Sequence, residues 1–277
     1  MLVNRSPNYD FLIDTPIAGM YRCNVFWNDL CCRGGEIFGG YMKNCLLFGS
    51  VLSVACTDVK SSSINTDGMF LNYWVVTEGA ETGSSANAML RVGGVTSTTY
   101  VDLEEGDQLV VDVAEESQVL AKQSLGVIHS YSAEYVADTS GSEFVLNFNR
   151  VDLDSAPSSV ATLPDTFELT APEADTIISR SDDTAELLIT WDNEGTDAMS
   201  IEVQGDCFEP YIASDVSDTG THTVPASYFS DHSYDTMTSC EATVIVERHI
   251  VGTLDPAFGE GIVYGAQRRT VSVRVDP

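Results

Sequence analysis

The sequence predicts an all-β protein, with two antiparallel β-sandwich domains behind a short apolar leader. Three observations carry that expectation. From residue 64 onward apolar and polar residues alternate with period two, no stretch holds a sustained helical stripe, and Gly, Asp, Ser and Pro punctuate the runs. Short strands at regular spacing with turns between them build antiparallel sandwiches. A length of 277 residues allows one large or two ordinary domains, and 43% hydrophobic residues is enough for real cores.

In chain order, residues 1–41 hold Cys23, Cys31 and Cys32, several glycines and no amphipathic period. They read as an upstream extension of the reading frame, with Met42 as the true start. Met42 and Lys43 precede an uncharged apolar run from Cys45 to Ala55, about half the length of a bilayer-spanning helix. Ser53, Val54 and Ala55 then lead to Cys56. A positive start, a short apolar stretch and a small residue before the cut describe a secretory signal peptide over 42–55.

The ending at cysteine resembles the lipobox of bacterial lipoproteins. That resemblance implies that Cys56 is diacylated on its thiol, becomes the mature N-terminus, and holds the protein to a membrane. Ser53 stands three places before the cysteine, where the family usually has Leu, and Leu52 is one place earlier. Thr57 after the cysteine, rather than Asp, implies release to the outer membrane in that family. Residues 56–64, with Ser61, Ser62 and Ser63, form a polar tether.

The first sandwich is expected over 65–153. Its strands lie in "AMLRV", "TTYVDLEEGDQLVVDV" and "SEFVLNFNRVDL", with a turn at Glu105-Gly106-Asp107. A linker follows at 154–164, where Pro157 and Pro164 break the strand pattern. The second sandwich is expected over 165–277. In "AELLITWDN" Ala185, Leu187, Ile189 and Trp191 face one way, while Glu186, Thr190 and Asp192 face the other. "MSIEVQG", "ATVIVERHIVG" and "RRTVSVRV" repeat the alternation, with Met199, Ile201 and Val203 inward. This half resembles an immunoglobulin or fibronectin-type sandwich, which makes Trp191 the core aromatic. The tandem arrangement is similar to a group of bacterial lipoproteins of unknown function. The matching features are "LRVGG" (90–94), "LEEGDQL" (103–109), "VATLPDTFEL" (160–169) and "GTLDPAFGEG" (252–261). That likeness implies no activity.

Of the seven cysteines, four precede Cys56, and only Cys207 and Cys240 follow it. Two cysteines in an exported protein point to one disulfide. Closing that loop stabilises the fold by about 4 kcal/mol through chain entropy. Without CxxC spacing or a neighbouring His pair the two make a poor zinc site. Charge is the compositional outlier, with 42 acidic against 13 basic residues. Before Cys56, Arg5, Arg22, Arg33 and Lys43 cancel Asp10, Asp14, Asp29 and Glu36, so the whole excess lies beyond it. Such a field repels phosphate backbones and excludes nucleic acid as a partner.

No HExxH, GxSxG, GxxxxGK[ST] or GxGxxG motif occurs in the body. His249 alternates with the inward residues of its strand and so faces solvent or a second sheet. His222 sits near a turn, and His129 and His232 lie in polar surroundings. Carboxylates pair at Asp152 with Asp154, Asp182 with Asp183, Asp192 with Glu194 and Asp197, and Asp215 with Asp218. Several oxygen ligands on one loop are what Ca²⁺ requires, so "DNEGTD" (192–197) and "DVSDTG" (215–220) are the calcium candidates. Neither has the full D-x-[DN]-x-[DN]-G spacing, so the sequence assigns no metal ligands, no catalytic residues and no cofactor. The expected role is binding or structural, at the cell envelope, toward a protein or polysaccharide partner and without catalysis. The alternative is a secreted hydrolase or accessory enzyme with a calcium-assisted site. Its mark would be a cleft of converging carboxylates, or a histidine touching a serine or an acid.

Overall fold

The computed structural model describes residues 57–277 except 80, 81, 105, 182–185, 193, 194, 196, 235 and 236. The leader, Cys56 and the Glu105 part of the expected turn lie outside the described residues. The rest is mostly strand, with one six-residue helix, α1 (Ala226–Asp231). Among the described residues no helix is long and apolar enough to cross a membrane.

One sheet of eleven strands runs through the whole body. Its spine is a long antiparallel hairpin, β17 (Cys240–Val251) and β18 (Glu260–Asp276), paired from Cys240↔Val275 to Val251↔Tyr264. On one flank β14 (Ala198–Gly205) pairs with β17, and β15 (Tyr211–Ser217) pairs with β14 to form the edge. On the other flank β2 (Met69–Thr77) lies parallel to the first half of β18 and antiparallel to β3 (Ser84–Val92). Beyond β3 come β8 (Ile128–Tyr135) with β7 (Ala121–Leu125), and β4 (Thr99–Asp102) with β1 (Thr57–Lys60). The last turn of β18 also takes β12 (Thr176–Ser179) in parallel.

Two smaller sheets cover this one. β10 (Ala156–Thr162), β9 (Glu143–Asn149), β5 (Gln108–Val113) and β6 (Glu116–Val119) form a four-stranded sheet. Leu109, Val111, Phe144, Leu146 and Phe148 from it meet Leu71, Tyr73, Val75, Ala88 and Leu90 in the first core. β11 (Leu169–Ala171), β13 (Glu186–Trp191) and β16 (Thr221–Pro225) form a three-stranded sheet. Leu187, Ile189, Trp191 and Val224 from it meet Ile201, Val203, Val244, Val246, Val273 and Val275 in the second. Period-two burial thus follows from two layers packed face to face.

The expectation of purely antiparallel pairing is corrected at three places, since β1–β4, β12–β18 and β18–β2 are all parallel. Local alternation fixes which face of a strand is buried, whereas the partner and its direction are set by how distant segments cross. Residues 57–64 also differ from a free tether. β1 pairs with β4, Ser61 is buried, and the Arg150 guanidinium donates to the carbonyls of Ser61 and Ile64.

The quoted sequence features have architectural roles. The "GTLDPAFGEG" segment joins β17 to β18 and lies on β10, with Val160 and Thr253 exchanging backbone hydrogen bonds. Asp255 accepts from the backbone N–H groups of Ser158 and Ala257, which fixes the loop. A Cβ on Gly265 would stand 2.0 Å from the Thr162 carbonyl oxygen, so only glycine admits that contact.

Candidate binding face

The disulfide end of the second core carries a cluster of polar aromatic residues. The helix α1 follows Pro225, whose fixed φ and missing N–H suit the N-cap, and buries Ala226 and Phe229. Phe229 packs edge-on against Phe208 with ring centres 5.0 Å apart. With Phe229 inward, its neighbour Tyr228 points along the surface. The Tyr228 ring stacks on His232 at 4.1 Å and meets Tyr211 edge-on at 5.0 Å. Its hydroxyl donates to the Pro210 carbonyl at 3.0 Å.

Tyr211 opens the edge strand β15, and its hydroxyl lies 2.8 Å from His222 Nε2 on the edge strand β16. One side-chain bond therefore ties the edges of two different sheets. Burial pushes the Tyr211 and Tyr228 hydroxyls up in pKa, with Glu209 adding to the effect on Tyr228. Burial also lowers His222, which favours its neutral form.

Behind this face Cys207 and Cys240 form a disulfide with Cα atoms 6.0 Å apart. The Cys207 carbonyl accepts from Tyr234 N and Ser233 Oγ, and His232 O accepts from Glu209 N. The loop after α1 is thus laced to the disulfide, and it presents Tyr234, 66% exposed, beside the half-buried rings. Exposed Glu209 acts electrostatically on Tyr228 and forms an acidic rim, while Asp206 and Asp231, exposed beside Cys207 and His232 in sequence, add to the local negative charge. Rings offer flat apolar faces and the rim offers acceptor oxygens. A neutral hydroxyl-rich chain fits both, because its C–H faces cover rings while its hydroxyls donate to carboxylates.

The calcium candidates have a different fate. Their two loops do meet, with Gly195 against the Asp218 carboxylate. At the meeting point stands Arg248, fully buried, with Nη2 2.8 Å from Asp218 Oδ2. Asp218 Oδ1 accepts from Trp191 Nε1 at 2.7 Å, and Arg248 Nη1 donates to Asp165 O at 3.0 Å. The guanidinium is the cation this cluster holds. Asp192 accepts from the Glu168 amide, and Asp215 sits at φ 53° in a β15 bulge, 4.0 Å from His249 Nε2. Asp152 and Asp154 are exposed, and Asp182, Asp183 and Glu194 lie outside the described residues. His249 is buried on the face of β17 opposite the second core, beside Tyr264.

A cavity of about 280 Å³ opens elsewhere, between β12 and β13, lined by Pro172, Glu173, Ile177, Glu186, Leu187 and Leu188 among others. It has no histidine or cysteine in its wall and does not reach the aromatic face.

Sequence reasoning did not find Tyr211, Tyr228 and Tyr234. The readable signal was "PASYFSD" after a strand, a proline-started helical turn whose Tyr-Phe pair must split between surface and core.

No family model and no curated protein matches the sequence. Among solved structures the chain is similar to one bearing on host cell surface retention of a 1.5-MDa bacterial ice-binding adhesin. That match has 10% identity and a TM-score of 0.20, over 76% of this chain and 66% of that one. It is also similar to the Bacteroides ovatus mixed-linkage glucan utilization locus protein SGBP-B, in complex with a mixed-linkage heptasaccharide. There the identity is 10% and the TM-score 0.18, over 79% of this chain and 66% of that one. The chain thus spans a little under two thirds of each, and the likeness is one of β-rich architecture alone.

Proposed function

We propose that this chain is a cell-envelope binding protein, held at the outer membrane by a lipid on Cys56, whose aromatic face takes a neutral polysaccharide. One observation carries the binding reading: Tyr211, His222, Tyr228 and His232 form a continuous array on a disulfide-laced platform with an acidic rim. Such rings supply large, rigid contact area at low conformational cost, and the surrounding sandwich holds them in place. The acidic surface turns away anionic polymers, which narrows the partner to a neutral chain. The lipid anchor rests on the lipobox-like run that ends at Cys56. We read the role as binding rather than catalysis: the acidic loops of the second core converge on Arg248, and at the Ser124–His129 pair Asp58 stands 3.6 Å from the ring without a hydrogen bond to orient it.

Affinity electrophoresis through gels cast with neutral or anionic polysaccharides tests the proposal. Retardation is expected in at least one neutral gel, and it should be lost in Tyr234→Ala and Tyr228→Ala variants that still melt cooperatively. Retardation only by anionic polymers, or equal retardation of the variants, would overturn it.

A further inference from the structure

β3 is bordered on its outer side by two strands in succession, β8 along Ser84–Ala88 and β4 at Arg91. The β7–β8 hairpin and the β4–β1 pair therefore converge on a seam. Tyr131 closes its inner end, accepting from Leu103 N and donating to Val101 O. At the outer end His129 on β8, Asp102 on β4 and Asp58 on β1 bring ligand atoms within 4.8 Å of one another.

His129 is 5% exposed, and its Nε2 is buried with no hydrogen-bond partner among the described residues. Its Nδ1 lies 3.0 Å from Ser124 Oγ, directly across the hairpin. A bond at Nδ1 fixes the ring and aims Nε2 into the seam, as second-shell partners of metal-bound histidines do. Asp58 Oδ2 is 3.6 Å from Nε2. That is too long for a hydrogen bond. Two ligands on tetrahedral arms of about 2.0–2.1 Å stand roughly 3.4 Å apart, close to this separation. The same distance argues against a Ser–His–Asp relay, since the acid does not grip the ring and Ser124 is exposed on an edge strand.

Both lysines of the body, Lys60 and Lys122, pair with Asp102. The two ammonium groups hold opposite oxygens of the carboxylate, Lys60 on Oδ2 and Lys122 on Oδ1. The lysine side chains are 53% and 38% exposed, so either ammonium can swing into water and release an oxygen.

We infer that the Asp58–Asp102–His129 seam is a binding site for a divalent transition-metal ion of the Zn²⁺ class. One imidazole and two carboxylates suit such an ion, whereas Ca²⁺ and Mg²⁺ take oxygen ligands alone. The metal enters by displacing an ammonium from Asp102, so Lys60 and Lys122 are built-in competitors. Because Asp58 and Asp102 come from β1 and β4, the bound ion ties the first strand to the body. This site is independent of the aromatic face.

The test uses residues 57–277, which form one compact unit containing both cores and omit the leader thiols. After EDTA treatment, calorimetric titration at fixed ionic strength should show one Zn²⁺ per chain at micromolar levels and none for Ca²⁺ or Mg²⁺. Asp58→Asn and His129→Gln should each weaken binding more than tenfold, while His222→Gln and His232→Gln leave it unchanged. Lys122→Met should tighten binding, by up to about fivefold if the displaced pair is an ordinary surface ion pair. Asp58 is exposed enough that its variant tests the site without touching a core. No Zn²⁺ binding, binding indifferent to Asp58 and His129, or a weakened Lys122→Met variant would each overturn the inference.

Discussion

Replacing Arg248 by methionine tests the structure most directly. The guanidinium is fully buried on β17. It faces Asp218 at 2.8 Å and the Phe167 ring at 5.1 Å, and it donates to Asp165 O and Thr166 O. The Asp218 side chain is fully inaccessible, so after the substitution its charge has no buried counter-ion and no water. Removing one partner of such a pair costs about 3–5 kcal/mol. For a body of this size each kcal/mol moves the melting temperature by roughly 2–4 °C, so a fall of about 10 °C is expected. The Asp218→Asn substitution keeps an acceptor for Trp191 Nε1 and should cost less. Combined with Arg248→Met it should recover part of the loss, because the stranded charge is gone. Differential scanning calorimetry on the four proteins gives the coupling energy, expected at about 1–3 kcal/mol. A drop below about 1 kcal/mol for Arg248→Met, or strict additivity in the double variant, would refute the reasoning.

The remaining predictions concern neighbouring features. Burial chiefly raises the Asp197 pKa; Arg248 and His249 oppose the shift, and Asp165 and Asp218 add to it. A carboxylate whose folded pKa lies above its unfolded value contributes stability below its ordinary value of 3.8, and loses it as pH rises through the folded pKa. Asp197→Asn should therefore raise the melting temperature at pH 7, with the gain vanishing by pH 3.8; no gain at pH 7 refutes this. Gly265→Ala must push a Cβ into the Thr162 carbonyl, which is backbone and cannot swing aside, so a loss of about 3 kcal/mol or more should appear in chemical denaturation. Reducing Cys207–Cys240, 33 positions apart, should cost about 4 kcal/mol and release the Tyr234 loop to proteolysis before either core. Micromolar Ca²⁺ should leave the melting temperature where matched NaCl does, because Arg248 occupies the place where the acidic loops meet.

Much of the fold was written in the period-two pattern. Leu187, Ile189 and Trp191 face the second core, as do Met199, Ile201 and Val203. The pattern could not show that one sheet serves both cores. β2 and β18 lie far apart in sequence, and nothing local to either specifies a parallel partner. Arg248 is the instructive case. Continuing the inward series from Ala242 through Val244 and Val246 places an arginine in the core, and a charge at an inward position demands a buried counter-ion. The alternation held the position of Asp218's partner, but only the folded loops show the partner. The aromatic face was less legible still, because Tyr211, His222 and Tyr228 come from three elements of different sheets and a helix.

The distribution of cations deepens the argument from charge to partner. Only nine basic residues follow Cys56, and most are drawn into the fold. Arg150 gathers Ser61 O, Ile64 O, Thr66 Oγ1 and Asp107. Arg180 is buried against Cys207 and the Thr238 carbonyl, and Arg268 pairs with buried Glu247. Arg269 covers the Phe167 ring and donates to its carbonyl. In each case a guanidinium, with five donors in a fixed fork, satisfies carbonyls or a carboxylate that the sheet ladders leave over. The solvent therefore sees a strongly acidic surface on which few cations are free to pair with a ligand, since most are held by the fold against their own carbonyls and carboxylates. A ligand approaching the aromatic face meets carboxylates with few cations to screen them, and an anionic polymer is repelled before a ring can be touched. Raising the salt shortens the reach of that field to about 3 Å at 1 M. Anionic polysaccharides should then gain more affinity from salt than neutral ones do. Equal salt dependence for both classes would show that the rim takes no part in the choice.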